Sequence, residues 1–211
     1  MMSLTLYGTP LSPYTRAASI TCIERGVDYT LEMVGPADLQ APSYVEKHPF
    51  RKIPALSVGG QRIYETAAIV RYIDSIGEAG ASLQPSDPLE RALSDQWIST
   101  TVSYLYVHAF NNFAFMRTLA PAFDIPVDEE RLADSKERTR GFLAVIAQAI
   151  EAEELGKNRP HLGDIVTGAV LAPLRTFEEG AEMVRNQPAV ESWLAQLESR
   201  ESFAKTRASV P

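Results

Sequence analysis

The sequence predicts an α/β first half of order βαβ-ββα joined to an all-helical second half. Three observations lead there. Residues 4–7 and 27–33 alternate apolar and polar positions with the period of two that marks a half-buried strand, and a helix-compatible run lies between them. Gly59-Gly60 stands between two short apolar runs, a tight-hairpin signal. Beyond residue 86 the apolar positions recur only at helical spacing. A chain of 211 residues suits one large domain or two small ones. At this length it can bury roughly 70% of its unfolded surface and needs no staple to fold.

Taken in order, Leu4 and Leu6 alternate with Thr5 and Tyr7 in a short opening strand, which Gly8, Pro10 and Pro13 break. Pro13 to Arg25 follows as a helix with Ala17, Ile20 and Ile23 on one side, and Gly26 is its natural stop. Val27, Tyr29, Leu31 and Met33 alternate with Asp28, Thr30 and Glu32 in a second strand, closed by Gly35 and Pro36. Two strands joined through a helix are expected to be parallel, with a right-handed crossover. Residues 53–58 and 61–64 form the hairpin, since both glycines between them tolerate positive φ. Thr66 can cap a last helix over 67–76, with Ile69, Ile73 and Ile76 on one face and Gly77 at its end.

The domains are expected at 1–78 and 88–211, with 79–87, rich in small residues and proline, as linker. Asp87-Pro88 reads as a cap followed by a first-turn proline, starting a helix that runs to about Met116. Further helices fit 127–155, with Gly156 as stop, and 162–178, and a fourth begins near Pro188 with Val190, Trp193, Leu194 and Leu197 at helical spacing.

Composition narrows the function. Hydrophobic residues make up 45% and charged residues 22%, which is globular and neither disordered nor fibrous. Cys22 is the single cysteine, so one chain can form neither an internal disulfide nor a cysteine-based metal cluster. Its lone thiol reads as a small buried apolar group. A net charge of −7 argues against broad nucleic-acid binding. No apolar run is long enough to span a bilayer, and the N-terminus lacks a signal pattern, so a cytoplasmic protein with no membrane partner is expected. Against this acidic background, 47–62 holds Lys47, Arg51, Lys52 and Arg62 with no acid, a candidate anion site.

Three motifs then set the direction: LTLYGTPLSPYTRA from Leu4 to Ala17, HPFRKIPAL from His48 to Leu56, and YETAAIVRYID from Tyr64 to Asp74. In this order and spacing, followed by a helical half, they resemble the cytosolic glutathione transferase superfamily over the whole chain, and in particular bacterial-type members with serine in the active-site motif. The second is similar to the family's Asn-Pro-x-x-Lys-Val-Pro-x-Leu and the third to its Glu-Ser-x-Ala-Ile. The resemblance implies a thioredoxin-like α/β N-terminal domain and an all-α C-terminal bundle. It also implies a cytoplasmic, homodimeric detoxification enzyme that uses glutathione as co-substrate, with no metal.

Residue by residue, the resemblance implies the following chemistry. Ser12 stands between the first strand and the first helix, where unpaired backbone N–H groups and the helix dipole favour an anion. There it donates its hydroxyl to the glutathione sulfur, helping to ionise a thiol that otherwise titrates near ~8.5. Tyr7 is the alternative donor, since other branches use a tyrosine near the end of the first strand. A hydroxyl at position 12 cannot form mixed disulfides, which favours conjugation over thiol reduction. Ile53 offers main-chain groups to the cysteinyl unit, Pro54 closes the motif and in the family follows a cis peptide bond, and Lys52, with Arg51 adjacent, meets the glycine carboxylate. Glu65 accepts from the γ-glutamyl ammonium, and Thr66 donates to its carboxylate at a helix start.

His48 replaces the family's asparagine; it could be a ligand contact, but the favoured reading is a partly exposed loop histidine. In PHLGDIV, Asp164 is retained from the family's capping box, whereas His161 stands where Ser or Thr is usual and is not expected to cap. Tyr104, His108, Phe113 and Phe115 are candidates to line a pocket for a small hydrophobic electrophile, with core as the default for any one of them. The first helix of the second half carries Trp97, Tyr104, Tyr106, Phe110 and Phe113 on several sides, more than one core stripe needs. A homodimer would use the surplus, and Asp95 and Gln96 could reach glutathione across it, as corresponding acids do in some relatives. Glutathione-dependent dehalogenation or isomerisation, and a non-enzymatic interaction or stress-response module, are the alternative functions.

Overall fold

The computed structural model describes residues 4–208. They fall into two compact units. One runs to Gln84 and takes in Ser202–Ala208; the other is Pro85–Glu201.

The first unit holds β1 (Leu4–Gly8), α1 (Pro13–Glu24), β2 (Thr30–Met33), α2 (Pro42–Val45), β3 (Ala55–Val58), β4 (Gln61–Tyr64) and α3 (Thr66–Ile76). The sheet order is β2-β1-β3-β4, with β1 and β2 parallel and the other pairs antiparallel. Alternation along the strands divides the core. Leu4, Leu6, Leu56 and Val58 face Ala18 and Cys22 of α1 and Ile69 and Ile73 of α3. Tyr7 and Ala55 face the other way, against Val34, Tyr44, Leu39 and Ile53. The hairpin turn has φ of 53° at Gly59 and 80° at Gly60, as a two-residue turn of that kind requires.

Several boundaries differ from the sequence reading. The second strand starts at Thr30 and not Val27, because the chain is still closing α1 there: Val27 N–H donates to the Cys22 carbonyl (2.9 Å). The third strand starts at Ala55, after Pro54, which has no N–H to give a ladder. Thr66 is the first residue of α3 and not its cap; Glu65 occupies the cap position, without a side-chain cap bond. Gly77 ends α3 at a φ of −75°, so left-handed backbone is not its purpose. A Cβ there would lie 2.8 Å from the Arg25 carbonyl oxygen. Close approach explains it, since the Arg25 guanidinium is buried alongside. It pairs with Asp74 at 2.9 Å, both side chains at most 6% exposed, and donates to the carbonyls of Gly77, Ala79 and Gly80. Asp74 in turn accepts from Leu83 N–H (2.7 Å) and Ser82 Oγ (2.6 Å).

The second unit opens with α4 (Pro88–Thr100), capped by Asp87, whose Oδ1 accepts from Leu89 and Glu90 N–H at 2.9 Å each. The helix continues through a π-helical stretch, Thr101–Ala114, into α5 (Phe115–Thr118). Next come α6 (Glu129–Glu151), α7 (Leu162–Leu171), α8 (Glu178–Arg185) and α9 (Pro188–Glu198); a last helix, α10 (Glu201–Lys205), belongs to the first unit from Ser202 on. The α6 helix stops four residues short of expectation, where the chain turns back through Glu153 (φ 57°) and Gly156 (φ 77°). The α7 helix yields to a 3₁₀ turn, Ala172–Thr176, at Pro173, and α8 was not foreseen. Every residue of α7 is buried, so it is the central helix of the bundle.

At His161 the structure departs from the expectation that a hydroxyl is needed there. The residue does cap α7: its Nδ1 accepts from Asp164 N–H (3.3 Å), while Asp164 Oδ2 accepts from His161 N–H (2.9 Å). Its Nε2 lies 2.8 Å from the Glu154 carbonyl, so the proton sits on Nε2 and leaves Nδ1 free to accept. Asp164 Oδ1 also takes Gly156 N–H and Trp193 Nε1–H, at 2.8 and 3.0 Å.

Candidate active site

Strand register gathers the three motifs. Tyr7 of β1 pairs with Ala55 of β3, and Ala55 pairs with Tyr64 of β4, so these residues form one row across the sheet. Just beyond that row lie the loop from Gly8 to Ser12, the Lys52–Pro54 segment and Glu65-Thr66. Segments far apart in sequence thus emerge side by side at one end of the sheet.

Ser12 is the N-cap of α1, with extended backbone (φ −82°, ψ 119°) and Pro13 at the first helical position. Its Oγ accepts from Thr15 N–H at 3.3 Å. The bond uses an oxygen lone pair and leaves the hydroxyl hydrogen for another acceptor. The side chain is half-buried. Tyr7 is 8% exposed, and the Lys47 ammonium sits over its ring, 4.5 Å from the centroid.

The Ile53-Pro54 bond is cis. The segment is held from behind by Tyr44, whose buried hydroxyl donates to the Lys52 carbonyl at 2.7 Å. Burial pushes the Tyr44 phenol up to about 12, so it stays a donor at any physiological pH. Lys52 and Arg51 are exposed, and Ile53 is half-buried. Glu65 is exposed and Thr66 is 5% exposed. Two non-glycine residues here have left-handed φ, Arg51 at 54° and Glu65 at 72°. Such backbone costs about 1–3 kcal/mol per residue and clusters at functional sites.

Sequence reasoning missed Tyr44 and the burial of His48, which is 2% exposed and not a solvated loop residue. Neither residue type nor spacing signals these two positions. Burial pushes the Cys22 thiol up to about 12, which removes it as a nucleophile near neutral pH.

The four pocket candidates belong to the second unit and have different surroundings. Tyr104 is 58% exposed, whereas Phe113 is wholly buried, edge-on to Phe177 at 5.1 Å. His108 Nδ1 lies 3.1 Å from Ser135 Oγ, and the Phe115 ring is tilted against that of Phe110, 6.2 Å away. Asp95 is half-buried on α4.

A four-stranded mixed sheet with α1 and α3 packed on one face, a cis-proline before β3 and an all-helical unit after it defines a thioredoxin-like domain followed by a helical domain. Known proteins of that build match along the chain. Residues 6–80 match the family model for the glutathione S-transferase N-terminal domain. Glutathione S-transferase F10 of Arabidopsis thaliana is 29% identical over 98% of this chain and 97% of its own. The probable glutathione S-transferase BZ2 of Zea mays is 31% identical over 81% of this chain and 74% of its own. A solved theta-class glutathione S-transferase from Xanthomonas axonopodis pv. citri, with glutathione bound, superposes with a TM-score of 0.81 at 27% identity, over 99% of each chain. Glutathione transferase F2 of Populus trichocarpa, at 23% identity and a TM-score of 0.86 over 96% of each chain, shares the fold. The chain belongs to the glutathione S-transferase family and is an enzyme of that class.

Proposed function

We propose that this enzyme binds glutathione across the ends of β4, β3 and β1 and ionises its thiol beside Ser12 for attack on a small hydrophobic electrophile. The observation behind this is the Tyr7–Ala55–Tyr64 row. Adjacent strands lie ~4.8 Å apart, so β4 and β1 are separated by roughly 10 Å. An extended tripeptide reaches about that far, at ~3.3–3.6 Å per residue. The γ-glutamyl ammonium meets Glu65 and its carboxylate meets Thr66. Main-chain groups of Ile53, next to Pro54, hold the cysteinyl unit, and Lys52 takes the glycine carboxylate. The sulfur then falls nearest Ser12.

The Ser12 hydroxyl and the start of α1 stabilise the thiolate over the thiol. The thiol proton leaves to solvent. The thiolate forms a C–S bond with the electrophilic carbon, which either expels its leaving group with the bonding pair or passes charge into an activated double bond. A homodimer and a reducing cytoplasmic setting complete the reading, the second suited to a protein whose one cysteine is a buried thiol.

Retention on immobilised glutathione, followed by turnover of aryl halides, epoxides and conjugated enones, tests the activity. Retention without turnover of any electrophile would reduce the site to binding alone. Sedimentation equilibrium at micromolar concentration tests the dimer, and a monomer mass there would overturn it.

A further inference from the structure

The chemistry above leaves His48 unused. Its N–H donates to the Tyr44 carbonyl and its carbonyl accepts from Arg51 N–H, each at 2.9 Å, which fixes the turn leading to Pro54. The residue is 2% exposed, and its Nδ1 has no hydrogen-bond partner. A buried polar atom without a partner is uncommon and asks for a reason. The ring is well held, with Tyr64 of β4 tilted over it at 5.1 Å and Phe50 edge-on at 6.3 Å. Its contacts tie His48 to two charged residues: Tyr44, whose carbonyl accepts its N–H, also donates to the carbonyl of Lys52, in the loop before β3, and Tyr64, whose ring lies on that of His48, directly precedes Glu65, at the start of α3. Both are assigned above to glutathione.

We propose that His48 is a positioning residue that makes capture of the γ-glutamyl ammonium pH-sensitive. Neutral, it leaves the Glu65 carboxylate to the ligand. Protonated, it takes that carboxylate as its own counter-ion. Nδ1, being unpartnered, can accept the proton without giving up an existing bond. The inference rests on the glutathione reading.

Burial holds the imidazole below its ordinary value; Glu65 opposes this and Lys52 adds to it. The ring is therefore neutral at pH 7, and the competition sets in on the acid side. Two cations then contend for one carboxylate, so affinity falls as the pH drops through the imidazole pKa. Coupling is reciprocal, so bound ligand must lower that pKa by the same factor.

S-methylglutathione is the probe, because it has no thiol whose ionisation could add a pH dependence. By calorimetry, the wild-type Kd should rise about threefold or more from about pH 8 to pH 5, whereas in His48→Asn, the family's residue, it should stay within about 1.5-fold. Parallel profiles would overturn the proposal. The three histidines allow a second readout on the wild-type protein. The His48 imidazole resonance, identified by its loss in His48→Asn or His48→Gln, should titrate about half a unit lower with the ligand bound. A pKa that does not move would also overturn it. Failure of the wild-type protein to bind the probe even at about pH 8 would instead overturn the glutathione reading, a different outcome from binding without pH coupling.

Discussion

Replacing Ser12 by alanine removes two things at once, and the structure separates them. The first is the cap. Its bond to Thr15 N–H is long, at 3.3 Å. The loss should therefore fall near the low end for such caps, about 0.5–1 kcal/mol of stability. The second is the hydroxyl donor to the sulfur. A hydrogen bond to a charged group contributes about 1.5–3 kcal/mol. At about 1.4 kcal/mol per unit, the pKa of the bound thiol should rise by about one to two units. At a pH below that pKa, the thiolate fraction and the rate should fall about ten- to hundredfold. Ser12→Gly distinguishes the two effects, because glycine at a cap costs only about a few tenths of a kcal/mol. It should therefore raise the thiol pKa like alanine while nearly sparing stability. The assay is the ultraviolet absorbance of the thiolate against pH in the glutathione complex, with thermal unfolding alongside. A thiol pKa within about 0.3 unit of wild type in both variants would refute the argument. Tyr7 would then inherit the role, and Tyr7→Phe would have to show the shift.

Glu65→Ala should raise KM for glutathione while leaving kcat nearly intact, because the γ-glutamyl end is remote from the sulfur and an interaction equal in ground and transition states appears in KM; a collapse of kcat at unchanged KM would contradict this. Tyr44→Phe should loosen the Lys52–Pro54 segment by removing a hydrogen bond worth about 1 kcal/mol, raising KM for glutathione up to about fivefold, and an unaltered KM would show that the segment holds itself. Cys22, its thiol pushed up to about 12 by burial, should resist alkylation at about pH 8 until the protein is unfolded in denaturant; rapid labelling of the native protein would contradict its burial.

Much of the fold was legible because alternation and helical spacing are direct consequences of burial. Leu4, Leu6, Leu56 and Val58 do line one face of the sheet, as their period of two requires. Boundaries were less legible where the backbone serves a neighbour. Val27 belongs to the closure of α1, although its side chain continues the alternation of β2. The His161 cap escaped because residue type suggested a hydroxyl, while what the cap needs is an acceptor, and a neutral imidazole provides one. At the candidate site, the residue types were readable in the three motifs, but their convergence was not. It depends on the antiparallel register of β3 with β4, which the Gly59-Gly60 turn sets, and on that of β1 with β3, which no local pattern encodes. The left-handed backbone at Arg51 and Glu65 was hidden for a related reason, since neither residue type announces a positive φ.

The buried Arg25–Asp74 pair determines where the chain can be cut. By composition, 79–87 reads as a dispensable tether. Yet Asp74 gathers Ser82, Leu83 and Gln84 onto its carboxylate, and Arg25 holds the carbonyls of Gly77, Ala79 and Gly80. A fragment trimmed at residue 78 would retain both buried charges and lose most of the groups that satisfy them. Breaking up such a pair's surroundings costs about 3–5 kcal/mol when one partner is lost outright, comparable with the whole stability margin of a small domain. For a tag or reporter inserted between the units, the junction that keeps these groups together lies after Gln84. A protease should likewise find this stretch slow to nick, despite its glycine and serine content.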